Sequence, residues 1–233
     1  MMNIMKHLTF DETRDYPYYR HNPKIAKWQW FVLIFLLPVA LFGQFLFPSE
    51  FTGSIFFCFA LLIPLLYFSK WDYKLLFHKP TKNELILAVL MFAGYMIYAI
   101  VIGEILTVLN LAGSETASSF PVDIVSIISL IFSMMGEELL KFIPLMLLLR
   151  LFYKFTDNTK VSMALSVAIV LTVFGLMHYF PGENTIVSVL VLQGLGSMFE
   201  MYGYIKTKNL FVPYIAHLLT DAVAFIAIML GPM

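Results

Sequence analysis

The chain is short of charge and nearly without cysteine, and each shortage excludes something. Of its 233 residues only 13% are Asp, Glu, Lys or Arg, about half the share found in a soluble domain. So few charges rule out an ordinary water-soluble globular fold. Acids and bases balance at 15 each, for a net charge of zero, so no basic field exists to draw nucleic acid. Cys58 is the one cysteine. It excludes a disulfide framework and a cysteine metal cluster, and reads as an apolar filler. No apolar run precedes Asp11, so the first residues do not read as a signal peptide. Neither a repeat nor a change of composition marks a soluble second domain.

What the chain has is apolar length. It is 60% hydrophobic, with a mean hydropathy of +0.83. After a polar, aromatic arm over residues 1–27, seven apolar segments follow at about 28–48, 51–69, 84–105, 122–150, 161–180, 185–205 and 210–230. Each approaches or exceeds the roughly 20 residues of a spanning helix. The sequence therefore predicts an all-α, polytopic transmembrane bundle of about seven helices, with 28–233 as one membrane domain. Pro48-Ser-Glu50 reads as a tight turn, and the long fourth segment as bent at Gly136 or Pro144.

Basic residues fall in alternate loops, and of the 15 only Lys141 lies away from a loop or its border. The positive-inside rule then puts the N-terminus in the cytoplasm and the C-terminus outside. Tyr16, Tyr18, Tyr19, Trp28, Trp30 and Trp71 read as aromatics at headgroup level. Residues 71–78 read as an interfacial stretch carrying His78, and His7 and His21 as solvated. Glu104 reads as interfacial, at the outer end of the third segment.

Charge inside the apolar runs is costly, and so points to a partner or a task. Glu137, Glu138 and Lys141 share the fourth segment. The spacing puts Lys141 four residues after Glu137 and three after Glu138, on one helix face. Two carboxylates so close do not ionise independently, which suits one of them to general-base work. Only two of the five histidines lie in apolar segments, His178 and His217. Asp221 stands four residues after His217, where it can accept a bond from the ring and fix its tautomer. Glu200, in the sixth segment, reads either as a helix contact or as a carboxylate supporting the site. Three helices carrying such groups predict one site.

Glu137-Glu138, Phe174 to His178 and His217 to Asp221 are similar to the three motifs of the CPBP family of intramembrane metalloproteases or glutamic proteases, which includes the CAAX proteases and bacteriocin-processing (Abi) enzymes. Their pattern is E-E-x-x-x-R, F-x-x-x-H and H-x-x-x-N or H-x-x-x-D. The stretch from Phe199 through Pro213 to His217 also resembles that family, and the likeness covers about residues 120–230. Where the family has Arg this chain has Phe142, and its cation is Lys141. E-E-x-x-K resembles instead related proteases that cleave anti-sigma factors.

The resemblance implies hydrolysis of a peptide bond in a membrane-associated protein or peptide. Glu137 would be the base, His178 would hold the water, His217 would donate to the oxyanion, and Asp221 would orient His217. Glu138 and Lys141 would support Glu137. No cofactor is favoured. A divalent metal such as zinc, if bound, would take Glu137, His178 and His217, but the chain lacks H-E-x-x-H and Lys141 opposes a dication. Competing readings are a catalytically silent bacteriocin-immunity or scaffold protein and a proton-coupled transporter, the latter disfavoured by the lack of an inverted repeat. The compact chain reads as a bacterial cell-membrane protein. One tension stands: in straight helices His178 and His217 would differ in depth by roughly 15 Å, with Gly175 and Pro213 as points of adjustment.

Overall fold

The computed structural model describes residues 8–20, 24–113 and 122–230. The expectations for His7 and His21 lie outside the described residues. Among the described residues there are helices and no strand. They are α1 (Lys27–Gly43), α2 (Glu50–Phe68), α3 (Lys82–Val108), α4 (Ile124–Thr156), α5 (Thr159–Met177), α6 (Ile186–Val189), α7 (Met198–Thr207) and α8 (Phe211–Leu230). A π turn, Leu190–Leu195, joins α6 to α7.

Six spans are long and apolar enough to cross a membrane. The seventh, α4, has 33 residues and is therefore about 50 Å long, with its charged cluster at mid-length. Large apolar side chains such as Phe31, Ile97 and Val173 point outward and are exposed, as lipid-facing residues are. The chain is an integral, multi-pass membrane protein.

Helix boundaries follow local chemistry. Ser49 caps α2 by accepting from the Thr52 amide, and Asp123 caps α4 through Ser126. Thr81 and Glu84 form a reciprocal box at α3. Asn158 caps α5 through the Lys160 and Val161 amides. Each satisfies amides that the first helical turn leaves without a partner. Pro38, Pro64 and Pro144 all lie inside helices.

The central element is α4, which packs against α1, α2, α5 and α8, while α3 closes over α7 and α8. It is one continuous helix, with Gly136 and Pro144 inside it. Gly136 admits the Phe57 ring of α2, which would lie 2.5 Å from a β-carbon there. The break occurs in the sixth span, at the π turn, where α5 comes close. A methyl at Gly175 would sit 2.9 Å from both the Gly194 Cα and the Val189 carbonyl oxygen. Gly175→Ala is accordingly expected to destabilise the protein by about 1–3 kcal/mol, because backbone cannot move aside cheaply. Thermal unfolding in detergent checks this.

The aromatic arm is packed into the protein as well as rich in rings suited to headgroup level. Tyr18, Tyr19 and Ile25 are buried and belong to the main core. The Tyr18 ring meets Trp30 at 6.1 Å and Phe142 at 6.3 Å, and Phe142 meets Tyr204 at 5.4 Å. Such edge-on rings hold the arm through area burial and geometry together. Phe142, at the position where an Arg would sit, is therefore core. Of the tryptophans, Trp28 and Trp71 are exposed but Trp30 is buried.

This packing removes the depth conflict. Glu137 lies about 29 Å from the end of α4, and His178 about 29 Å from the start of α5, so the two are level. His217 lies only about 9 Å from the start of α8, but the α7–α8 turn is set far inside the bundle. Asn209 is 0% exposed, whereas Asp157 and Asn158 of the α4–α5 turn are exposed. The arm and residues 69–81 fill the space beneath. Tyr16 donates to the Ile205 carbonyl at 3.1 Å, and burial pushes its phenol up to about 12. Asn209 donates to the His78 carbonyl at 3.1 Å, and the Leu210 amide to Leu76 at 3.0 Å. His78 is thus not merely interfacial: Arg14 donates to its Nδ1 at 2.7 Å, and its Nε2 donates to Glu84 at 2.9 Å. Glu104 is exposed, as its position suggested.

Candidate active site

Four helices supply the intramembrane charges. From α4, Lys141 donates to Glu138 at 2.6 Å and to Glu200 of α7. From α8, His217 Nδ1 donates to the same Glu138 oxygen at 2.8 Å. Glu138, Lys141, Glu200 and His217 are all buried. Their formal charges, two carboxylates against one ammonium and one imidazole, nearly cancel. Charge pairing with hydrogen bonds is what makes such burial tolerable. Phe174 of α5 lays its ring 4.8 Å from the Lys141 ammonium, adding a cation–π contact in a dry setting.

Two expected pairings are corrected here. Of the two carboxylates expected to face Lys141, Glu138 does so and Glu137 does not, and a second partner, Glu200, comes from across the bundle. Asp221 was expected to hold the His217 ring, but its carboxylate is 3.9 Å from Nε2, beyond hydrogen-bond range. Glu138 takes that role through Nδ1. Lys141 thus keeps its helix-face partner Glu138 and gains Glu200, while for His217 the cross-helix Glu138 is better placed than Asp221. Glu200, read as a helix contact or a supporting carboxylate, bonds Lys141 across the bundle and also lines the cavity described next.

Glu137 is left without the cation. It and Asp221 are the most exposed acids of the group, at 23% and 32% of their side chains. Glu137 lies 3.8 Å from His217 Nε2. Both acids open into a cavity of about 170 Å³ that Tyr95, Phe174, His178, Gln193, Ser197, Glu200, His217 and Thr220 also line. The structure therefore brings Glu137, His178, His217, Asp221 and Glu200 to one cavity, with Glu138 and Lys141 behind it.

His178 caps the C-terminus of α5. Its Nδ1 bonds the Phe174 carbonyl oxygen at 2.9 Å, and the Phe174 ring meets the imidazole at 4.8 Å. A carbonyl only accepts, so Nδ1 carries the proton and Nε2 of the neutral ring is an acceptor. One helical turn from Glu137 on α4 and from Asp221 on α8, Ser133 and Phe225 line a second cavity of about 540 Å³, with Gln44, Ser49, Glu50 and Ser126.

The residues that could ligate a metal differ from the expected set. Glu138, Glu200 and His217 each offer one atom, all within 4.8 Å of one another. The Lys141 ammonium already bonds both carboxylates, so a dication there would meet a like charge. These residues fit a metal poorly.

Tyr95, Gln193, Ser197 and Thr220 were not singled out by the sequence. Gln193 carried a readable signal, an amide inside the apolar run Val189-Leu-Val-Leu-Gln193. Tyr95 carried none, since it reaches the cavity by packing on Gly196, where a β-carbon would lie 2.7 Å from its ring.

No protein-family model, no curated protein and no solved structure matches the chain, so the arrangement of these side chains is what a functional reading rests on.

Proposed function

We propose that the protein is an intramembrane endopeptidase of the CPBP kind, hydrolysing a peptide bond of a membrane-associated protein or peptide. The observation that carries this reading is the separation of two adjacent carboxylates into different environments. Glu138 is locked by Lys141 and His217, while Glu137 faces a cavity shared with His178, His217 and Asp221. Holding one acid fixed and leaving its neighbour open is how paired carboxylates acquire different roles.

Glu137 takes a proton from a water, whose oxygen bonds to the scissile carbonyl carbon as the carbonyl electrons move to oxygen. Collapse of that intermediate breaks the C–N bond, and the amine leaves with the proton from Glu137. His178 Nε2 accepts a hydrogen bond from the same water. His217 Nε2 donates to the oxyanion, which requires the imidazolium form. The carboxylates of Glu137, Glu138, Glu200 and Asp221, all within 4 Å of the ring, are the countercharge for it. Asp221, 3.9 Å from Nε2, acts on His217 as part of that countercharge. The adjoining cavity of about 540 Å³, edged with hydroxyls, supplies water to a site otherwise surrounded by apolar side chains.

No metal is part of this reading. The test uses purified protein in nanodiscs with a library of apolar peptides, reading new termini by mass spectrometry. Wild type is expected to produce them, with or without a chelator. His178→Ala and His217→Ala are expected to lose them while remaining folded. Activity in both variants sinks the reading. Loss of activity on chelation, restored by zinc, sinks its metal-free form. A biological effect that survives Glu137→Gln would favour the silent scaffold instead.

A further inference from the structure

We infer that Gln193 forms a binding site for the peptide main chain, its side-chain amide pairing with the N–H and C=O of one extended substrate residue. This deepens the proposed hydrolytic reading and places a recognition residue in the same cavity. Gln193 sits in the π turn and lines the cavity with Ser197 and Glu200, four and seven residues on. Its Oε1 is buried and has no hydrogen-bond partner, and among the described residues no hydrogen bond engages its Nε2. A buried amide oxygen left unpaired is costly, and a native structure rarely keeps one without a reason.

The surrounding groups show what that reason is. Ser197 donates to the Gln193 carbonyl at 2.7 Å, and Thr220 to the Ala216 carbonyl at 3.0 Å. His178 Nδ1 and His217 Nδ1 are engaged by Phe174 and Glu138. Lys141 is held by Glu138 and Glu200. The Gln193 side chain is therefore a neutral group of the cavity with a donor and an acceptor both free. A residue in extended conformation offers the complement, its own N–H and C=O on one side of the chain. The terminal torsion of Gln is broad and soft, so the amide can turn to meet it.

The backbone around Gln193 is made to hold it there. The Val191 carbonyl accepts the Gly196 amide of the π turn at 3.1 Å, and Tyr98 donates to the same oxygen at 2.8 Å. On the other side Gly194 abuts α5, where a β-carbon would lie 2.9 Å from the Leu171 carbonyl oxygen.

The experiment compares wild type and Gln193→Leu in detergent, with N-acetyl-leucine-N-methylamide as a non-ionic peptide probe. Without probe, Gln193→Leu is expected to melt at the same temperature or a few degrees higher, since the unpaired oxygen is gone. The probe is expected to raise the melting temperature of wild type and leave that of Gln193→Leu unchanged. With a cleavable peptide, kcat/KM is expected to fall about tenfold or more, the value of two ordinary hydrogen bonds. The inference is overturned if the probe fails to shift wild type, or shifts both proteins alike. It is also overturned if Gln193→Leu melts lower than wild type without probe, for the amide would then be holding the fold. If Glu137→Gln cleaves as well as wild type while the probe shift still requires Gln193, the hydrolytic reading falls and the peptide site stands.

Discussion

Glu137→Gln is expected to reduce peptide cleavage by about 10²–10⁴-fold, the usual contribution of a general base, with no loss of folded protein. Gln keeps the volume and can still hydrogen-bond in the cavity, but it cannot take a proton from water. The side chain makes no ion pair with Lys141 and is partly open to the cavity, so its neutralisation disturbs little structure. The neighbouring Glu138→Gln is the contrasting case. It removes the shared partner of Lys141 and His217, and is expected to lower stability and activity together. Thermal unfolding and cleavage, measured on both variants, separate the two carboxylates. Equal behaviour in both assays would mean that the two acids do not divide their roles.

Lys141→Met is expected to be the most damaging single change to the fold, costing about 3–5 kcal/mol, the usual result of removing one partner from a buried ionic group. Glu138 and Glu200 are 4% exposed and both depend on this ammonium. Without it the two carboxylates repel across a few ångströms, with only His217 to compensate. The double variant Lys141→Met, Glu200→Gln restores the charge balance and is expected to be more stable than Lys141→Met alone. Thermal unfolding in detergent, with size-exclusion profiles, reads both. A Lys141→Met protein as stable as wild type would show that the cluster is not ion-paired as described. The same contacts account for the place of the cation in the site. From position 141 it reaches Glu138 and Glu200, while Phe142 packs with Tyr18 and Tyr204.

The architecture was readable because its signals are local. Apolar runs gave the spans, and Ser49, Thr81 and Asp123 mark where helices start. Glu137, His178 and His217 were readable as site residues because charge and imidazole are rare and costly in apolar helices. What could not be read was long-range. Helix spacing paired Lys141 with Glu137 and Glu138, of which only Glu138 holds, and His217 with Asp221, where Glu138 is better placed; Glu200 reaches Lys141 from across the bundle. Composition put Tyr16, Tyr18 and Tyr19 at an interface, because a tyrosine suits an interface and a core equally until its neighbours are known. The inset α7–α8 turn, which brings His217 level with His178, depends on that arm and on residues 69–81 filling the space below. No local pattern encodes it.

The central claim is that Glu137, His178 and His217 act together to cut a peptide bond. Its most direct test compares the membrane and secreted peptides of cells that carry the wild-type protein with those of cells that carry Glu137→Gln at equal abundance. The account predicts a defined set of new peptide termini in the wild-type cells that is absent from the Glu137→Gln cells. Identical peptide profiles in the two, with both proteins folded in the membrane, would contradict it.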